Sequence, residues 1–161
     1  MLRRERDILT LEMSIQIHKS HNVTVLLYHL ICVAKYRRVV VDQKVDEIIK
    51  TTCIEIAKRY SMHFLEIGTD KDHVHFLIQS IPMILPQKIA QIVKSITARK
   101  VFEQAPEVKK SLWGGEFWSD GYYIETIGRH NSEQAITQYI KQQGKEKEYI
   151  LLHKAQLSLF I

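Results

Sequence analysis

Hydrophobic and polar positions follow two rhythms along this chain, and the places where one gives way to the other divide it into elements. Residues Val23 to Lys35 are rich in Val, Leu, Ile and Tyr with no helical period, which predicts a long central strand running into the basic corner Lys35-Tyr36-Arg37-Arg38. After Asp42, a suitable N-cap, Val45, Ile48, Ile49, Thr52, Cys53, Ile56, Ala57 and Tyr60 recur at helical spacing. Met62 to Gly68 then alternates as a strand, and Thr69-Asp70-Lys71-Asp72 makes a polar turn into His73-Val74-His75-Phe76-Leu77-Ile78, so a hairpin is expected. Pro82 and Pro86 bracket a loop, and Pro86 opens a second helix. One side of that helix carries Ile89, Ile92, Val93 and Ile96, the other Lys88, Lys94, Ser95 and Arg99. Trp113-Gly114-Gly115-Glu116-Phe117-Trp118 is a glycine-punctuated aromatic loop, and Tyr122 to Ile127 reads as a fourth strand ending at Gly128.

A last helix is expected from Asn131 or Ser132, with Gln134 placed as capping-box partner to Asn131. Ala135, Ile136, Tyr139, Ile140 and Gln143 share one arc of roughly 140°, so Tyr139 and Gln143 face inward together. The order βαββαβα predicts an α+β domain: a ferredoxin-like or RRM-like split βαβ, with an antiparallel sheet and helices on one face. The expected division is an N-terminal extension over 1–20, one domain over 21–148 and a C-terminal tail over 149–161.

Within this pattern, one strand carries chemistry. Alternation points His73 and His75 to the same face while Val74, Phe76 and Ile78 point to the other, and this offers two imidazoles to one metal ion. Two readings of the pair are open: ligands of a metal, or buried histidines satisfied by neighbours in the sheet. Burying two imidazoles in an apolar strand is costly without partners, and Asp72 precedes them at a turn. No cysteine cluster supplies a third ligand, but the amide oxygen of Gln143 suits a hard cation such as Mg²⁺ or Mn²⁺. Tyr139, one helical turn before it, is either a core tyrosine or a nucleophile assisted by that cation, since a phenol with a pKa of about 10 does not ionise unaided at neutral pH.

Composition adds two limits. Among 161 residues, 23 Lys and Arg stand against 18 Asp and Glu, a formal charge of +5 that favours a polyanionic partner. Arg37, Arg38, Lys88, Lys94, Arg99, Lys100, Lys109 and Lys110 are the candidate phosphate contacts, and Trp113, Phe117 and Trp118 could stack on unpaired bases or plug the core. Cys32 and Cys53 read as reduced core residues of a cytoplasmic protein. Glu5, Asp7 and Glu12 near the start argue against a secretory signal, and the longest apolar run, interrupted by His29, is short of the roughly 20 residues a membrane helix needs.

Set together, these parts resemble a known family. His73-Val74-His75 resembles the histidine, hydrophobic, histidine signature of HUH endonucleases. Tyr139 with Gln143 resembles the tyrosine and metal-ligand helix of the single-tyrosine HUH transposases of small insertion sequences. Tyr28-His29-Leu30 with Lys35-Tyr36-Arg37-Arg38, Thr69 to His75, Leu112-Trp113 with Phe117 to Tyr123, and Tyr139-Ile140 extend the likeness over about residues 22 to 146. The resemblance implies a transposase that cuts and rejoins single-stranded DNA, with Tyr139 forming a 5′-phosphotyrosine link. It further implies a divalent metal, Mg²⁺ or Mn²⁺, held by His73, His75 and Gln143. It also implies DNA hairpins at element ends as partners, and a homodimer whose tyrosine helix can complete the other subunit's site. The extension before Met13 and the Leu- and Ile-rich tail after Tyr149 depart from the family's plainest form. The competing expectations are a non-catalytic nucleic-acid-binding module on the same βαββαβ sheet, and a repurposed or inactive HUH protein that binds hairpins without transposition.

Overall fold

Of the chain, the computed structural model describes residues 17–19, 22–24 and 26–127. The first elements are two short strands, β1 (Ile17–Lys19) and β2 (Asn22–Thr24), antiparallel with Ile17 opposite Thr24. This ladder spans the boundary expected at residues 20 and 21. It also replaces the start of the expected single strand, and the central strand β3 is Leu26–Val33. β3 ends there because the backbone turns: Lys35–Arg37 forms a 3-10 turn with Tyr36 at φ 57° and Arg37 at φ 51°, a left-handed geometry no strand can continue.

Helix α1 (Gln43–Tyr60) starts where the sequence places it, with the Asp42 carboxylate accepting a hydrogen bond from the Val45 amide at 2.8 Å. Strands β4 (His63–Thr69) and β5 (His73–Ser80) form the expected hairpin, closed by the Asp70 amide donating to the His73 carbonyl at 2.9 Å. Helix α2 (Pro86–Gln104) has Pro86 in its first turn, where the missing N–H has no helical partner to lose. A short helix not anticipated from the sequence, α3 (Pro106–Ser111), precedes the aromatic loop, and β6 (Tyr123–Thr126) is the last described strand.

β3, β4, β5 and β6 make one antiparallel sheet in the order β4-β5-β3-β6. The strands joined through α1 are separated by β5, and those joined through α2 by β3, which is the split βαβ arrangement. Both helices cover one face. There Leu30, Cys32, Val74, Phe76 and Ile78 of the sheet meet Val45, Ile49, Cys53 and Ile56 of α1 and Ile89 and Val93 of α2. Burial pushes the Cys32 thiol up to about 12 and moves the Cys53 thiol the same way, so both stay protonated. Among the described residues no helix is long and apolar enough to cross a membrane. The helix expected from Asn131 and the tail over 149–161 lie outside the described residues.

Candidate active site

The period of two that sends Val74, Phe76 and Ile78 into the core sends His73 and His75 to the opposite face of β5. Their ring centroids are 5.1 Å apart. The sequence expectation of two imidazoles side by side is met, and the structure adds what surrounds them. His73 Nδ1 lies 2.6 Å from Asp72 Oδ1, and Asp72 Oδ2 accepts from Arg37 Nε at 3.3 Å. Burial tends to raise the Asp72 pKa, but the hydrogen bonds from His73 and Arg37 outweigh it and hold the carboxyl below its ordinary value.

His75 is 1 % exposed and contacts a third histidine that the sequence reading left without a role. In β3 the alternation that buries Tyr28 and Leu30 in the core turns His29 to the histidine face. Its Nε2 lies 2.8 Å from His75 Nδ1. The two rings are 18° from coplanar with centroids 5.1 Å apart, the edge-to-edge geometry of a ring-nitrogen hydrogen bond. Glu125, directly opposite His29 on β6, places Oε1 3.1 Å from His29 Nδ1, and Tyr123 Oη donates to Glu125 Oε2 at 3.1 Å. Desolvation first, then the neighbouring His29 and His73, push the His75 pKa down to about 2, so this imidazole is neutral at physiological pH. Neutral imidazole is the form that binds a metal.

The pair supplies two of the ligands that a divalent-ion site would need. The two imidazoles share a face, and each has its Nδ1 engaged by a protein partner, the kind of outer-shell contact that metal-bound histidines make. Among the described residues, no group of three His, Cys, Asp or Glu forms a metal-holding cluster. The third expected ligand, Gln143, and the expected nucleophile, Tyr139, lie outside the described residues.

The expected DNA contacts divide. Arg37 and Arg38 are exposed at the corner after β3, where Arg37 meets Asp72 beside His73. Lys88 and Arg99 are exposed on α2, lining an open groove of about 970 Å³ with Tyr122. This groove is on the helix side of the sheet, opposite the histidine face. Lys100 is half-buried and 3.9 Å from both Glu55 and Glu103. Trp113 is 77 % exposed, so its ring is available for stacking.

Two of the expected contacts are engaged within the fold. Lys94 donates to the carbonyls of Ser119, Asp120 and Gly121 at 2.8, 3.0 and 3.0 Å, so its three N–H donors are committed to the loop rather than to a phosphate. Trp118 is buried, with Nε1 donating to Thr97 Oγ1 at 2.9 Å and its ring edge-on to Phe117 at 4.5 Å. Of the two readings open in the sequence, stacking on a base or plugging the core, this burial fits the second. Of the two neighbouring tyrosines, Tyr123 faces the histidine side and Tyr122 lies beneath the Lys94 ammonium at 5.7 Å.

Comparison with known proteins bears on the same span. The family model described as "Transposase IS200 like" matches residues 22–143, which takes in the histidine pair, Tyr139 and Gln143. The chain is 32% identical over 118 residues to the ISDra2 transposase TnpA of Deinococcus radiodurans, covering 73% of this chain and 84% of that one. It is 26% identical over 119 residues to the transposase for insertion sequence element IS200 of Salmonella typhimurium, covering 74% and 77%. A Deinococcus radiodurans crystal structure solved as a candidate transposase superposes with a TM-score of 0.65 at 30% identity, over 79% of this chain and 97% of that one. A REP-associated tyrosine transposase bound to a REP hairpin shares the fold, with a TM-score of 0.55 at 9% identity over 77% and 69%.

Proposed function

This chain belongs to the IS200-like transposase family, and on that premise we propose that it cleaves and rejoins single-stranded DNA at insertion-sequence ends, with Tyr139 as the nucleophile. The observation that carries this reading is the histidine pair, His75 buried and His73 part-exposed, with both Nδ1 atoms held, on the sheet face away from the helices. In the proposed reaction Tyr139 loses its phenolic proton and its oxygen attacks the scissile phosphorus. The bond to the 3′ oxygen breaks, leaving a free 3′-OH and a 5′-phosphotyrosine. A second 3′-OH then attacks that phosphorus, a new phosphodiester forms and Tyr139 is released. The energy of the broken bond is retained throughout, which is why no nucleotide cofactor is needed.

His73, His75 and Gln143 would hold a divalent cation, Mg²⁺ or Mn²⁺, whose contribution is to polarise the scissile phosphate. Asp72 fixes the His73 ring, and Arg37, exposed beside it, can meet the flanking phosphate. The partners we propose are single-stranded DNA, hairpins at the element ends, and a second copy of the chain forming a homodimer with a shared or separate tyrosine helix. The separation of the Lys88 and Arg99 groove from the histidine face supports one surface for holding DNA and another for cutting it.

The test is incubation with labelled single-stranded DNA from the flanks of the protein's own gene, with Mg²⁺, Mn²⁺ or EDTA. A covalent protein–DNA band that needs metal and single strands is expected, absent in Tyr139→Phe and lost in His73→Ala or His75→Ala with hairpin binding retained. An adduct that persists in Tyr139→Phe refutes the assignment of the nucleophile. Hairpin binding with no cleavage under any metal would favour the binding-only protein.

A further inference from the structure

We propose that Glu125 and His29 form a relay that positions His75, setting which of its ring nitrogens carries the proton and which presents a lone pair. The reasoning starts at the end that can only accept. An ionised carboxylate has no proton to give, so at the 3.1 Å contact between Glu125 Oε1 and His29 Nδ1 the histidine is the donor. A His29 that donates from Nδ1 alone has a lone pair on Nε2. At the 2.8 Å contact with His75, His29 Nε2 is then the acceptor and His75 Nδ1 the donor. The proton of His75 is thereby assigned to Nδ1 and its lone pair to Nε2.

The same logic applies next door without an intermediary. Asp72 Oδ1 accepts from His73 Nδ1 at 2.6 Å, which leaves the lone pair of His73 on Nε2 as well. Two carboxylates thus set the two histidines alike, Asp72 directly and Glu125 through His29. The sheet explains the difference. Asp72 adjoins His73 in sequence, whereas Glu125 is two strands away from His75, and His29 on the strand between them spans the gap. Tyr123 Oη donates to the other oxygen of Glu125, so the carboxylate is itself held. The His29–His75 link is shielded from water, with His29 2 % and His75 1 % exposed, and a buried hydrogen bond of this kind has no solvent competitor, while the Glu125 end is only part-buried.

The role rests on the proposal that His75 is a metal ligand, and the experiment separates the two. Long-range ¹⁵N–¹H correlation on the ¹⁵N-labelled full chain, free of metal, reads the tautomer of each histidine directly. Mn²⁺ titration reads affinity. In the wild type, His75 is expected as the Nδ1–H tautomer. His29→Phe, a planar ring that is somewhat larger and has no acceptor, should abolish that preference and weaken Mn²⁺ binding about 10-fold or more, the usual cost of losing an outer-shell partner. His29→Gln should restore much of both, because one amide can donate to Glu125 and accept from His75.

His75 found as Nε2–H in the wild type overturns the relay, as does a His29→Phe protein in which the tautomer is unchanged. A tautomer that moves with no change in Mn²⁺ affinity also overturns it as a positioning device. If His29→Phe fails to fold, the wild-type tautomer and the His29→Gln protein decide. Mn²⁺ binding that is undiminished in His75→Ala refutes the metal reading instead, while the tautomer data still judge the hydrogen-bond assignment.

Discussion

Replacing Lys94 with methionine removes one ammonium group and keeps an unbranched stem of similar length, so it isolates the three hydrogen bonds to the carbonyls of Ser119, Asp120 and Gly121. A hydrogen bond from a charged donor contributes about 1.5–3 kcal/mol net. The three do not add, because they share one cation and the carbonyls of Asp120 and Gly121 are at the surface, where water replaces the lost donor. The bond to Ser119 is the shielded one. A loss of about 2 kcal/mol in all is expected, and at roughly 2–4 °C per kcal/mol for a chain of this size the melting temperature should fall by ~4–8 °C. Urea denaturation followed by circular dichroism measures this, with Lys88→Met, an exposed lysine on the same helix, as a control expected within about 0.5 kcal/mol of wild type. A Lys94→Met protein as stable as the control, whose DNA affinity depends less steeply on salt, would refute the reasoning. It would make Lys94 a phosphate ligand after all.

Three further outcomes are expected. Trp113→Ala should leave stability within about 0.5 kcal/mol and weaken binding to unpaired DNA, whereas Trp118→Phe should lower stability by about 1–2 kcal/mol, since it strips the buried Thr97 Oγ1 of its donor; urea midpoints and fluorescence titration distinguish them. Lys88→Met and Arg99→Met should each reduce the slope of log affinity against log salt by about one, measured on a hairpin oligonucleotide, without touching metal affinity. Asp42→Ala should cost about 1 kcal/mol by leaving the Val45 amide without its cap, again read as a shift in urea midpoint.

The elements with an unbroken period were legible in the sequence. α1 with its Asp42 cap, the β4–β5 hairpin and the Pro86 start of α2 all follow from local spacing, and the face shared by His73 and His75 follows from alternation alone. What alternation could not supply was the neighbour across the sheet. His29 was visible as a polar interruption of an apolar run, and the alternation around it already placed it opposite Tyr28 and Leu30. Pairing it with His75 needed the strand order, and pairing it with Glu125 needed the β3–β6 register. Lys94 and Trp118 were ambiguous for a related reason. A lysine on a helix's polar side and a tryptophan beside glycines look alike in sequence whether they meet DNA or close a loop onto the core, and the loop conformation that decides between these has no periodic signature.

The position of the histidine strand also sets how the site can be lost. β5 is bonded to β4 on one side and β3 on the other, so amides along its length are paired within the sheet's interior rather than along an edge. Such strands open only with the global transition, whereas edges and terminal hairpins fray with less free energy. Amides of β5 are therefore expected among the slowest to exchange with solvent hydrogen, and those of β6 among the faster. Heating or mild denaturant should not produce a folded population with a damaged histidine pair: the pair disappears when the domain does, and until then its spacing is kept by the backbone ladder itself.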